Sequence, residues 1–249
     1  MIKAIISDLD GVLVQTEKLK VRAYALAVQQ IRNLPEPDTR ATEAYHEVVG
    51  ASREITSNHV MTKPGLEDEL RPMMAQYGVS EPANILTAIR YQIYDEMVSK
   101  PQGIRDNQWP YTVELLRMAK ETACLTALTT LSKKKDVTHV IHSLGLESTI
   151  DVVLTADDVT KPKPDSEIYL LAAQKLGVPP GECLVLEDSV NGITAAQSAG
   201  MNVVAIATPF TSASIHTSEI TREAWIVHEP EKVAEVVRQR INEHNLTPH

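Results

Sequence analysis

The feature of this 249-residue chain that most restricts its fold is a repeated rhythm. Short apolar runs without alternation are each followed by a stretch of helical periodicity that stops at a glycine. Strand-length runs fall at residues 3–7, 123–129, 152–154, 184–186, 203–206 and 225–227. Absence of alternation suits strands covered on both faces of a parallel sheet. Between them, residues 133–144 carry Val137, Val140, Ile141 and Leu144 at helical spacing and stop at Gly145. Residues 166–176 stop at Gly177, and 190–199 at Gly200. Strand, helix, glycine, strand predicts an α/β domain built on a doubly wound, mostly parallel sheet.

One segment interrupts this rhythm. Residues 17–101 read as several helices with no convincing strand, among them 18–33 and 39–49, with "PEPD" and "GASR" as punctuation. The expected organisation is therefore a catalytic core from residues 1–15 and 102–249 and an inserted all-α domain at 16–101. The chain is 43% hydrophobic and 23% charged, enough for a substantial core. Its formal net charge of -9 argues against nucleic acid and anionic membrane as partners. No apolar stretch approaches bilayer length, and the start "MIKAIIS" lacks a basic leader and cleavage pattern. The two cysteines, Cys124 and Cys183, lie in apolar runs and read as reduced core residues. The expectation is a cytoplasmic protein, monomeric or a small homo-oligomer.

In open α/β sheets, ligands bind beyond the carboxyl ends of the strands. The first run ends in Asp8 and Asp10, the second in Thr129 and Thr130 with Ser132 beyond, and the fourth in Glu187, Asp188 and Ser189. After the third comes "DDVTKPKPD", holding Lys161 and Lys163. If the sheet forms, at least four carboxylates converge, and each raises the pKa of the others. A divalent cation resolves the conflict. Oxygen donors without His or Cys favour Mg2+, which takes one or two carboxylates plus waters and phosphate oxygens. Lysine, hydroxyls and backbone amides suit a phosphoryl group, whose transfer is mostly positioning and charge neutralisation. Asp8 is placed to attack phosphorus. Asp10 is placed to protonate the leaving oxygen and later to deprotonate water. Gly11 lets the backbone bend tightly beside them.

"DLDGVL", "TLS", "KPKPD" and "EDSVNGITAAQSAGM" together resemble the four ordered motifs of the haloacid dehalogenase-like hydrolase superfamily, and the helical insert resembles the cap of its β-phosphoglucomutase-like and phosphonatase-like branch. The resemblance implies a Rossmann-like core, with Asp8 as nucleophile and Asp10 as acid and base. It sets Thr130 and Lys161 on the transferring phosphoryl group, Lys161 because the family's "KPxPD" puts the catalytic lysine first. It implies Mg2+ ligated by Asp8, the Asp10 carbonyl and Asp188, with Glu187 as ligand or supporting neighbour. Gly11, Leu131 and Ser132 would contact substrate. In the cap, "GASR" resembles the mutase-branch Gly-X-Ser-Arg, which would bring Arg53 onto a substrate phosphate. Lys20 stands where sugar-phosphate mutases often carry histidine, and Gln15 where many relatives have Asp. Phosphonate-cleaving relatives lack an acid at the Asp10 position. The resemblance thus favours hydrolysis of a small phosphorylated metabolite, with a sugar-phosphate mutase and a non-catalytic phospho-ligand sensor as alternatives.

Overall fold

The computed structural model describes residues 1–49 and 53–246, with Arg53 described through its backbone alone. The chain divides into two compact units, Met1–Gln15 with Ile104–His249, and Thr16–Gly103.

The first unit holds a sheet of β1 (Ala4–Ser7), β2 (Leu125–Thr129), β3 (Val152–Leu154), β4 (Cys183–Glu187), β5 (Asn202–Ile206) and β6 (Ile226–Val227). Their order is β3-β2-β1-β4-β5-β6, and every pairing is parallel. The six apolar runs of the sequence are therefore the strands of one α/β sheet. β2 begins two residues later than its apolar run because Ala123 adopts φ +59° in the preceding turn, and the Cys124 amide donates to Ala119. Such a backbone cannot join a ladder. Parallel neighbours need crossovers, which the helices Lys134–Leu144, Glu167–Leu176 and Val190–Ser198 supply. The first ends at Gly145 in the left-handed conformation, where its amide returns to the Ile141 and His142 carbonyls.

β1 is buried throughout and pairs with both β2 and β4. Its side chains join a core that includes Ile6, Leu154, Ile168, Tyr169, Val185 and Ile193. The winding changes direction at β1: β2 and β3 lie on one side, β4 to β6 on the other. Such a switch point opens a crevice at the carboxyl ends of the adjacent strands. The Asp8 amide donates to the Leu186 carbonyl at 2.9 Å, carrying the β1–β4 pairing one residue into that crevice.

The second unit is built of helices joined by turns, with no strand among its described residues. Its long helices, Thr16–Arg32 and Pro82–Val98, enclose Ala27, Val28, Ile85 and Leu86. Asp38 caps Thr39–Glu47 by accepting the Ala41 amide at 3.0 Å. Within this unit, Arg90 is buried among the Tyr24, Tyr91 and Tyr94 rings at 5.4, 4.6 and 5.1 Å. No helix among the described residues is long and apolar enough to cross a membrane.

Because Ile6 is fully buried in the central strand, Ile6→Ala should cost about 3 kcal/mol of unfolding free energy, measured by urea denaturation; a loss under about 1 kcal/mol would show that β1 is not the centre of the packing.

Candidate active site

Asp8 lies directly beyond β1 and is 7% exposed. Its Oδ1 accepts a hydrogen bond from Lys163 Nζ at 2.7 Å. The same ammonium donates to Glu187 Oε1 at 2.6 Å and to the Thr129 carbonyl at 3.3 Å. It also sits 5.0 Å from the centre of the Tyr169 ring, whose hydroxyl donates to Glu187 Oε1 at 2.9 Å. A lysine side chain only 5% exposed is thus held by two carboxylates. A buried charge of this kind is tolerated only when paired and hydrogen-bonded.

The two carboxylates bear this arrangement differently. Burial works to raise the Glu187 carboxyl, yet the Lys163 charge and hydrogen bond, the Ser189 amide and Tyr169 together hold it below the usual carboxylate range. Its second oxygen is saturated as well, accepting from the Asp188 and Ser189 amides at 3.0 and 3.1 Å and from the Ser189 hydroxyl at 3.0 Å. Burial pushes Asp8 up to about 8; the Glu187 and Asp10 charges add to the rise and the Lys163 charge opposes it. Burial works to lower Lys163, but the Asp8 and Glu187 charges outweigh it and hold the ammonium well above its ordinary value. Glu187 is therefore the permanent counter-ion of Lys163. Asp8 is the carboxylate whose charged form is disfavoured.

Asp10 lies in a separate environment. Its Oδ2 accepts from the Ser132 hydroxyl at 2.8 Å and the Thr130 hydroxyl at 3.2 Å. The Thr130 oxygen accepts in turn from the Ser132 amide at 3.0 Å, which fixes the turn beyond β2. Gly11 has φ +77°, and a Cβ there would fall 1.9 Å from Asp188 Oδ2. The glycine is required both by the backbone and by the Asp188 carboxylate lying on its bare face. Gly192 does the same for Glu187: a Cβ there would fall 1.8 Å from Oε1.

Asp8, Asp10, Gly11, Thr130, Ser132, Glu187 and Asp188 are brought to the crevice as the sequence led us to expect. Lys161 is not. Its side chain is 71% exposed and faces Asp165 at 3.8 Å, while its amide caps against Glu167. Lys163 takes the place beside Asp8. The physical reason lies in helix Glu167–Leu176, whose buried Ile168 and Tyr169 anchor it beneath the sheet. That anchor draws the second lysine of "KPKPD" inward and leaves the first in solvent. Spacing to "EIY" was the available signal, since Lys163 and Tyr169 meet at one oxygen of Glu187. Tyr169 and Gly192 were missed altogether. Of the two threonines, Thr130 reaches Asp10, whereas the buried Thr129 hydroxyl has no hydrogen-bond partner among the described residues. Leu131 is exposed. In the helical unit, Lys20 pairs with Glu17, which also accepts from the Tyr45 hydroxyl. The Arg53 side chain, with residues 50–52 of "GASR", lies outside the described residues.

The donors at the strand tips are oxygens, a set suited to a hard cation. Among the described residues, no three of these carboxylates bring ligand atoms within 4.8 Å of one another. A cation here would rest on one or two of them and complete its shell with carbonyl and water, as Mg2+ does. The disadvantage of a charged Asp8 is what such a cation would relieve.

Known proteins resemble this chain over most of its length. Residues 2–200 match the family model described as haloacid dehalogenase-like hydrolase. The YhcW protein of Bacillus subtilis is 31% identical over 210 residues, covering 83% of this chain and 84% of that one. The phosphorylated carbohydrates phosphatase of Thermotoga maritima is 29% identical over 199 residues, covering 80% and 82%. The crystal structure of the β-phosphoglucomutase of Clostridium difficile superposes with a TM-score of 0.64 at 21% identity, covering 99% of this chain and 100% of that one.

Removing the ammonium separates the two lysines. Lys163→Met leaves the Glu187 charge unpaired in the interior and should cost about 3 to 5 kcal/mol, whereas Lys161→Met should change stability by less than about 0.5 kcal/mol. Paired urea melts read both, and equal effects would contradict the placement.

Proposed function

The chain belongs to the haloacid dehalogenase-like hydrolases, and on that premise we propose that it is a Mg2+-dependent phosphomonoester hydrolase acting on a small phosphorylated metabolite. The observation that carries the proposal is the division of labour at the tip of β1. Two carboxylates, one residue apart, have opposite partners: an ammonium for Asp8 and two hydroxyls for Asp10.

Asp8 is the nucleophile. Its Oδ1 is taken by Lys163, which leaves Oδ2 for attack on phosphorus. As the Asp8–phosphorus bond forms and the ester bond breaks, Asp10 gives its proton to the departing alcohol oxygen. The resulting aspartyl-phosphate is cleaved when Asp10, now a base, takes a proton from the water that attacks phosphorus. Inorganic phosphate leaves and Asp8 is regenerated. Lys163 neutralises phosphoryl charge throughout, and Glu187 with Tyr169 fixes where its ammonium points. Thr130 and Ser132 hold Asp10 in place between its two proton transfers. Asp8, Asp188 and the Asp10 carbonyl would hold the Mg2+. When bound, the ion supplies charge stabilisation for the phosphoryl oxygens and for the Asp8 carboxylate. The named activity of the Thermotoga maritima relative makes phosphorylated carbohydrates the first substrate class to test.

A panel of sugar and polyol phosphates, scored for phosphate release with magnesium and with chelator, tests the proposal. Wild type should release phosphate only with the divalent ion. Asp8→Asn should lower kcat by about a thousandfold or more, and Asp10→Ala by about 100-fold to 10,000-fold. Lys163→Met should lose at least about 100-fold, while Lys161→Met stays near wild type. Hydrolysis by Asp8→Asn at the wild-type rate would exclude the covalent route. Isomer formation without phosphate release would make the protein a mutase, and no turnover across the panel would favour a phospho-ligand sensor.

A further inference from the structure

Beyond β5, the chain folds three side chains from three elements onto one another. His216 lies in the last turn of helix Ser212–Ser218, Glu223 opens the 3-10 turn Glu223–Trp225, and His228 directly follows β6. Glu219, in the left-handed conformation at φ +48°, reverses the chain between the first two. His216 Nδ1 comes within 3.5 Å of Glu223 Oε2, and His228 Nε2 within 2.7 Å of Glu223 Oε1. The two imidazole planes are parallel to within 2°, with centroids 5.1 Å apart. One ligand atom from each residue lies within 4.8 Å of the others, and all three residues are exposed.

The cluster is anchored from below. Ile215, next to His216, and Val227, next to His228, are buried. Trp225, two residues beyond Glu223, packs under the Arg240 guanidinium at 4.0 Å and donates Nε1–H to Glu243 at 3.0 Å. Three separately anchored elements therefore deliver the side chains, so helical i,i+4 adjacency does not explain the grouping. A simple ion pair needs one imidazole per carboxylate. Here two rings face one carboxylate, so three donor atoms of metal-ligating type lie within 4.8 Å of one another.

We propose that His216, Glu223 and His228 form a surface site for a divalent late transition metal, with zinc as the representative ion. Imidazole nitrogens with a single carboxylate are donors for zinc, nickel or copper and poor ones for magnesium. The site differs in chemistry from the all-oxygen set at the strand tips. Ligands of a tetrahedral zinc, each about 2.0–2.1 Å from the metal, stand roughly 3.3 Å from one another. The His216–Glu223 separation of 3.5 Å already matches that spacing. The closer His228–Glu223 pair must open, and because stacked rings cannot aim both in-plane lone pairs at one ion, at least one exposed imidazole turns out of the stack on binding. Three protein ligands leave a fourth position for water.

The test is a zinc titration of the chelator-stripped full chain in excess magnesium, competed against a chromogenic zinc indicator. Wild type should take one equivalent from the indicator and gain thermal stability from it. His216→Asn/His228→Asn should weaken binding by more than about 100-fold, since loss of groups that merely orient ligands already costs 10-fold to 100-fold. The double variant should lose the melting shift and keep magnesium-dependent phosphate release at the wild-type level. Cobalt should give visible absorption with wild type and none with the double variant. Should the double variant fail to fold, Glu223→Gln, altered at an exposed oxygen, should still weaken zinc binding. The proposal is overturned if wild type takes no zinc from the indicator, or if the folded variants bind as tightly as wild type.

Discussion

The Lys163 ammonium is the charge on which the catalytic unit depends. It lies in the interior between β1 and β4, bonded to Asp8 from one strand and to Glu187 from the other. Two buried carboxylates across a parallel pairing would otherwise drive those strand tips apart or protonate. One lysine, supplied by the loop after β3, holds them together and polarises them unequally. Glu187 is fully spent on structure, with both oxygens saturated. Asp8 gives Oδ1 to Lys163 and is charged only at a cost, features that fit the nucleophile proposed above.

Several neighbours follow from that arrangement. Tyr169 supplies both a ring face to the ammonium and a hydroxyl to Glu187, which ties helix Glu167–Leu176 to the site. Gly192 gives Glu187 its room, and Gly11 gives Asp188 its own. Both glycines are set by a carboxylate lying against the backbone, with the left-handed turn at Gly11 as a second requirement. The site is thus built as much by absent side chains as by present ones.

The fold was legible because the parallel sheet leaves a direct trace. Strands buried on both faces read as unbroken apolar runs, and the crossover helices Lys134–Leu144 and Glu167–Leu176 end at Gly145 and Gly177. The convergence of Asp8, Thr130 and Asp188 followed from strand order and the rule that function gathers at carboxyl ends. The lysine did not follow. In "KPKPD" two identical side chains stand two residues apart, and local pattern cannot choose between them. The choice is made by long-range packing, through the burial of Tyr169 and its shared contact with Glu187. The His216, Glu223 and His228 grouping was equally illegible. It depends on a left-handed reversal at Glu219, a residue type that seldom announces one.

The two places where the chain leaves and re-enters the catalytic unit are stitched to each other. The Gln15 amide donates to the Asn107 carbonyl at 2.8 Å, the Trp109 amide to Leu13 at 2.8 Å, and Val14 bridges Gln108. To the sheet, the whole insertion is a loop whose ends are already closed. Lengthening such a loop costs entropy that grows only with the logarithm of its length. A lineage could therefore exchange or remodel everything between those stitches while β1 and its two carboxylates stay in place. Selection can then rework the helical unit without disturbing the strand tips.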